Sequence, residues 1–186
     1  MLTIPIRSIR EAGWLLNEAV EAVKLPLLAE LSRKEDIRFV QPVQVRIVAT
    51  LAGETVLIEG EVHTGVHLRC SRCLTPFDLN VQSEFSVTAV AASAELPADA
   101  LVGETELAAD EMDVLLYSGD SIDLSEEIAQ QIIMALPFNP LCIETCKGLC
   151  NQCGADLNRS TCRCKTQDAG NPFSVLKNLS LPEKRE

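Results

Sequence analysis

Eight cysteines are the residues of this 186-residue chain whose type and spacing could do chemistry. They run Cys70-x2-Cys73, then Cys142-x3-Cys146-x3-Cys150-x2-Cys153-x8-Cys162-x-Cys164. A C-x-x-C turn brings two thiolates onto one ion, and Gly154 after Cys153 eases the tight backbone. Zinc in a closed structural site takes four ligands in a tetrahedron and prefers thiolate sulfur. Eight cysteines make two such quartets with none left over, so the expected cofactor is two Zn2+ per chain. Reach suggests the division. Cys150, Cys153, Cys162 and Cys164 lie within fifteen residues and can close a self-contained ribbon. Cys70 and Cys73 would then meet Cys142 and Cys146 in a second, cross-chain site. The even spacing of Cys142, Cys146 and Cys150 leaves open a mixed partition in which Cys146 joins the ribbon.

Other chemistries fit less well. Cys70 and Cys73 as a redox pair would be expected to open a helix in a βαβ unit, the setting that lowers a thiol pKa, and they do not. Short cysteine spacings do not by themselves exclude an iron–sulfur cluster. The two histidines, His63 and His67, lie four apart on one strand face and read first as solvated polar residues; His67 is the nearer to Cys70. There is no Gly-rich phosphate loop, no G-x-S-x-G and no H-E-x-x-H. Acid pairs such as Glu126-Glu127 and Asp110-Glu111 are most simply solvated or capping groups. A zinc with four sulfur ligands keeps no open position for substrate, so no catalytic residue and no enzyme activity are expected.

The elements that must position the cysteines show as periodicity. Odd positions are apolar over 43–51, even positions over 56–70 and odd positions again over 77–89. Each is the period-two signal of a half-buried strand, and Ala52-Gly53 supplies a tight turn between the first two. This predicts an antiparallel meander with Cys70 and Cys73 at a hairpin tip. Leu2, Ile4 and Ile6 are candidates for a fourth strand, and the long middle strand suggests a bend or bulge at Gly60 or Gly65. Two helices are expected to cover the dry face. One carries Ile9, Ala12, Leu15, Ala19 and Val23 at helical spacing and ends by Pro26. The other spans about 124–135, with Asp123 and Glu126 as a capping box, and stops before Pro137.

The fold class expected is thus α+β: an antiparallel β-meander covered by helices, with a C-terminal cysteine-rich zinc-knuckle segment. Residues 1–140 form the body, including an acidic mobile loop at about 91–120. Residues 141–168 form the knuckle segment, too poor in large apolar groups to order itself without a metal. Residues 169–186 are a C-terminal helix, capped by Asn171 and opened by Pro172, and a tail.

Charge is uneven. Residues 1–72 balance nine basic against nine acidic side chains, Cys73 to Cys146 hold fourteen acids and no Lys or Arg, and 147–186 hold seven basic and four acidic. Over most of its area such a surface repels phosphate. Arg69, Arg72, Lys147, Arg159, Arg163 and Lys165 cluster in sequence around the knuckles. They read equally as RNA contacts or as compensation for the charge of about −2 on each Zn(Cys)4 centre. The leader MLTIPIRSIREAGWLLNEAVEAV lacks a basic start, apolar run and cleavage site, and no stretch is a membrane span. A cytoplasmic location with no membrane partner is expected, where reducing conditions favour metal thiolates over disulfides.

Cys70-Ser71-Arg72-Cys73 after a strand, the acidic loop, the run from Leu136 to Cys142, CKGLCNQCGADLN from Cys146 to Asn158, and the closing Asn171 to Leu176 together resemble the bacterial YceD family. Its members are described as large ribosomal RNA subunit accumulation proteins, with relatives in plastids. The resemblance covers about Val43 to Leu179. It implies a role in synthesis, processing or stability of large-subunit ribosomal RNA, with ribosomal RNA or a large-subunit ribosomal protein as partner and no small-molecule substrate. The alternatives are a zinc-stabilised adaptor whose acidic loop binds a basic protein, and a redox switch at Cys70 and Cys73.

Overall fold

The computed structural model describes residues 2–10, 13–34, 37–92 and 114–164. Its strands are β1 (Thr3–Pro5), β2 (Trp14–Val20), β3 (Arg38–Phe39), β4 (Val43–Ala52), β5 (Thr55–Arg69), β6 (Pro76–Ala91), β7 (Val114–Tyr117) and β8 (Ser121–Asp123). Its α-helices are α1 (Pro26–Lys34) and α2 (Ser125–Ala135). The class is α+β, built on one sheet in the order β2-β4-β5-β6-β7, with β3 pairing β5 beside that path.

The meander forms because each strand repeats its apolar residues at every second position. β5 pairs β6 without interruption from Val56↔Ala89 to Arg69↔Pro76, and β4 pairs β5 from Gln44↔His63 to Ala52↔Thr55. Neither pairing holds a bulge, so the glycines of β5 have other uses. Gly60 stands opposite Phe85, whose ring would lie 2.3 Å from any Cβ there. At Gly65 the partner changes from β4 to β3. There Val40 N–H donates to the Gly65 carbonyl at 2.9 Å, and the buried Thr64 hydroxyl donates to the Gln41 carbonyl at 2.9 Å.

Ile47, Ile58, Leu28, Ile128 and Ile132 are fully buried between the sheet and the two helices. α2 forms as its apolar stripe predicts, but not with the expected cap. Leu124 is the N-cap and makes no side-chain bond, while Asp123 Oδ1 accepts from the Ser125 amide at 3.0 Å and hydroxyl at 2.6 Å.

Four expectations are corrected. The helix expected over Ile9 to Val23 is instead largely β2, paired antiparallel with β4 from Trp14↔Ala49 to Val20↔Val43. The turn at Gly13 (φ +83) breaks the helical run, and the free hydrogen-bonding edge of β4 outweighs local propensity. Pro26 opens α1 rather than ending a helix, as its missing N–H and fixed φ allow at a first helical position. Leu2 and Ile4 are buried, but their strand pairs with β8 in a separate two-stranded sheet, not with the meander. Part of the segment read as loop is also ordered, since β7 lies parallel to β6. Residues 93–113 and the expected C-terminal helix lie outside the described residues.

Candidate metal centres

The β5–β6 connection is a knuckle turn. Cys70 N–H donates to the Thr75 carbonyl at 3.0 Å, and Leu74 N–H returns to the Cys70 carbonyl at 2.9 Å. A second knuckle repeats this frame: Cys150 N–H to Ala155 carbonyl at 2.8 Å and Gly154 N–H to Cys150 carbonyl at 2.9 Å. The residue after the second cysteine has positive φ in both, +59 at Leu74 and +71 at Gly154. Gly154 is conspicuous from sequence as a turn residue; its counterpart Leu74 is not. The signal was there in the alignment of the two C-x-x-C turns.

All eight sulfurs gather into two groups. Cys70, Cys73, Cys142 and Cys146 form one and Cys150, Cys153, Cys162 and Cys164 the other, with the sulfurs of each within 4.8 Å of one another. Cys146 stays with the cross-chain group, not with the ribbon. Neighbouring sulfurs stand 3.7 Å (Cys70–Cys146), 3.5 Å (Cys73–Cys142), 3.4 Å (Cys153–Cys162) and 3.4 Å (Cys150–Cys162) apart. None is a disulfide. A tetrahedron with metal–sulfur bonds of about 2.3 Å has edges of about 3.8 Å, so a zinc-sized dication fits each set with little adjustment.

The metal-free thiols are unequally ready to ionise. At Cys70 burial opposes ionisation, but the backbone amides of Cys142, Cys73 and Arg72 outweigh it and bring the thiol down to about 6. Burial, followed by the neighbouring Cys73, Cys70 and Cys146, pushes Cys142 up to about 12. The ribbon behaves the same way. Backbone amides of Cys153 and Gln152 bring Cys150 down to about 6, and the crowded Cys162 and Cys153 push Cys164 up to about 12. One thiol ionises readily in each set while another is held protonated, by burial and its sulfur neighbours at Cys142 and by its sulfur neighbours at Cys164.

A hydrogen-bonded joint ties the two groups together. Asn158 accepts from the Lys147 amide at 2.8 Å through its side-chain oxygen, and its Nδ2 donates to Cys146 Sγ at 3.4 Å. The Arg72 carbonyl accepts from Leu149 N–H at 3.2 Å, and a Cβ on Gly148 (φ +74) would sit 3.1 Å from that oxygen. A glycine is needed there for both the close approach and the conformation. Outer contacts of this kind orient ligands and hold their charge. Gly148 and Asn158 carry no spacing signal of their own; both belong to the CKGLCNQCGADLN run.

The basic residues divide by role. Arg72 Nη1 donates to the Cys146 carbonyl at 2.9 Å, which makes it a strut between the hairpin tip and the C-terminal segment. Arg159 Nε lies 3.6 Å from Asp156 Oδ2. Arg69, Lys147 and Arg163 are exposed, and Lys165 lies outside the described residues. His67 is in neither group; its Nδ1 is 2.6 Å from Asp78 Oδ1 on β6. Cys70 and Cys73 are buried against the other two sulfurs, unlike the exposed thiol of a redox switch.

Fold and centres together define a small α+β module closed at one end by two all-cysteine knuckles. The chain belongs to the YceD family, described as "Large ribosomal RNA subunit accumulation protein YceD", whose profile matches residues 58–180 and so takes in both groups. It is similar to a chloroplastic large ribosomal RNA subunit accumulation protein YCED homolog 1 of Arabidopsis thaliana, 26% identical over 155 residues, covering 74% of this chain and 48% of that one. The homologue so named in Zea mays is 27% identical over 146 residues, 68% of this chain and 50% of its own. An uncharacterized protein of Mycobacterium tuberculosis is 33% identical over 104 residues, 56% of this chain and 46% of that one. The chain spans about half the length of the curated relatives it matches. No solved structure matches it. Among the described residues no helix is long and apolar enough to cross a membrane.

Proposed function

We propose that this chain is a non-enzymatic, cytoplasmic factor for the synthesis, processing or stability of large-subunit ribosomal RNA. Each cysteine group holds one structural Zn2+, so that all eight cysteines are ligands. The observation that carries the reading is the family match across the segment that contains both groups. The structure supports it with two sets of four sulfurs, which would leave a bound zinc no open position for catalysis. Ribosomal RNA or a large-subunit ribosomal protein meets the knuckle end, where Arg69, Lys147, Arg159 and Arg163 supply cations and Arg72 also braces the site; Lys165, next to Cys164 in sequence, is proposed to join them.

Removing the chain from its own cell and measuring large-subunit against small-subunit ribosomal RNA tests this. The large-subunit RNA falls, and the wild-type chain restores it. Unchanged large-subunit RNA after removal rejects the ribosomal role.

The charge pattern favours a second reading, an adaptor that binds a basic protein through its acidic stretch. It has fourteen acids and no Lys or Arg between Cys73 and Cys146. On that reading, deleting 95–113 abolishes partner binding, and reversing Lys147 and Arg163 to Glu is tolerated. On the RNA reading the outcomes are exchanged.

A further inference from the structure

Phe138 is 97% exposed, on a turn bracketed by Pro137 and Pro140. The turn is held rather than loose: Leu136 N–H donates to the Ile133 carbonyl at 3.2 Å, and Ser71 N–H donates to the Pro140 carbonyl at 2.8 Å. That last bond ties the turn, two residues after Phe138, to the first knuckle at Ser71. An exposed ring on a pre-ordered turn loses little conformational freedom when something stacks on it.

Leu74 gives an independent sign on the same knuckle. It holds φ +59, a conformation uncommon for leucine, and its side chain is 58% exposed. Gly154 fills the equivalent place in the other knuckle's identical hydrogen-bond frame, so the turn itself does not call for a side chain. A strained backbone that presents an apolar group to solvent points to a contact made outside the chain. Ile143, 52% exposed, follows Cys142 as Leu74 follows Cys73, and the two sulfurs are 3.5 Å apart.

Charge narrows the occupant. Arg69, Arg72 and Lys147, all exposed, directly neighbour the cysteines of this first group in sequence. The core of a protein interface is depleted in charge, whereas surfaces for single-stranded nucleic acid mix rings with cations. Against these three positive charges stand Glu144, two residues before Cys146, and the charge of about −2 left when four thiolates hold a dication. The knuckle is thus close to neutral, and phosphate attraction alone would be weak there.

We propose that Phe138 and Leu74, with the cations beside them, form a surface that stacks unpaired bases of RNA. This rests on the ribosomal RNA reading and specifies which kind of RNA meets the knuckle. A duplex hides its base faces, so it offers Phe138 nothing to stack on.

The test uses the full zinc-loaded chain, an oligouridylate and an RNA duplex of equal length, followed by fluorescence anisotropy. The oligouridylate binds more tightly than the duplex. Its affinity falls with salt with a log–log slope of only about 1 to 2, since each single-strand phosphate contact adds about 0.7. Phe138→Ala weakens binding roughly 5- to 150-fold, the span of one base–aromatic stack, and Phe138→Trp keeps it. Leu74→Gly weakens binding while the chain melts no earlier, which separates loss of contact from loss of fold. Equal affinity for the duplex, or an unchanged Phe138→Ala, overturns the inference. So does a chain that ignores both RNAs, which leaves a protein as the occupant of this face. The ribosomal reading stands or falls separately, on large-subunit RNA levels after the chain is removed.

Discussion

The two cysteine groups share a knuckle frame and differ in what they hold together. In the first, Cys70 is 0% and Cys146 2% exposed, and its sulfurs join the β5–β6 hairpin to the segment after α2, about seventy residues away in sequence. The second lies within 150–164, and Cys153 and Cys164 are exposed. The first group forms a small buried cluster of its own with Phe77, Leu141 and Leu149; the second is joined to it through Gly148 and Asn158. One metal would close a long loop of the fold, and the other would order a short segment that has little core of its own.

The largest difference is expected from removing one sulfur at a time. Cys70→Ser should release one zinc, free 138–146 from the hairpin tip and lower Tm on the order of 10–20 °C. Structural zinc binding is worth ~10–16 kcal/mol in finger peptides, of which even a part is large against the ~5–15 kcal/mol net stability of a domain. Cys153→Ser should also release one zinc and loosen 147–164, but leave the main melting transition within about 3 °C of wild type. Elemental analysis, thermal melting and hydrogen exchange read both. Equal losses of Tm would show that the ribbon is as integral to the core as the first group.

Next in size is pH. Zinc binding must expel the protons still on the sulfurs, so affinity falls as pH falls. Cys142 and Cys164, pushed up to about 12, still hold a proton at any ordinary pH, and zinc must expel it. Cys70 and Cys150, brought down to about 6, are already thiolates at neutral pH and take up a proton only below it. Affinity should therefore drop more steeply below about pH 6 than above, and in the same way for both groups. Zinc titrations of Cys70→Ser and Cys153→Ser, each keeping one intact group, would expose any divergence.

The smallest effect comes from exchanging the residues after the knuckles. Leu74→Gly should raise stability and Gly154→Leu should lower it, each by roughly 1–2 kcal/mol, the cost of placing a side-chain-bearing residue in the left-handed region. Denaturant titration measures both. A loss of stability in Leu74→Gly would mean that its side chain packs to some purpose within the fold.

Much of the site was legible because its signals are local. Cysteine spacing is a property of short segments, and reach along the chain suggested the same grouping of sulfurs that the structure shows. What was missed is relational. Arg72 read as a surface cation and is a strut to the Cys146 carbonyl, since its partner lies 74 residues on. Asn158 had no signal of its own; it matters because folding brings Cys146 and Lys147 beside it.

By itself the sequence determined the three long strands and α2, where one periodicity dominates and apolar residues have one face to bury. It also determined that the cysteines suffice for two quartets, while the place of Cys146 was decided by the structure. Only the tertiary structure decided that Trp14–Val20 is a strand and that Leu2 and Ile4 leave the meander to pair with β8. Ile9, Ala12, Leu15, Ala19 and Val23 satisfy a helical pattern well enough. The deciding demand was the unpaired edge of β4, whose N–H and C=O groups needed partners that the segment's own pattern could not announce.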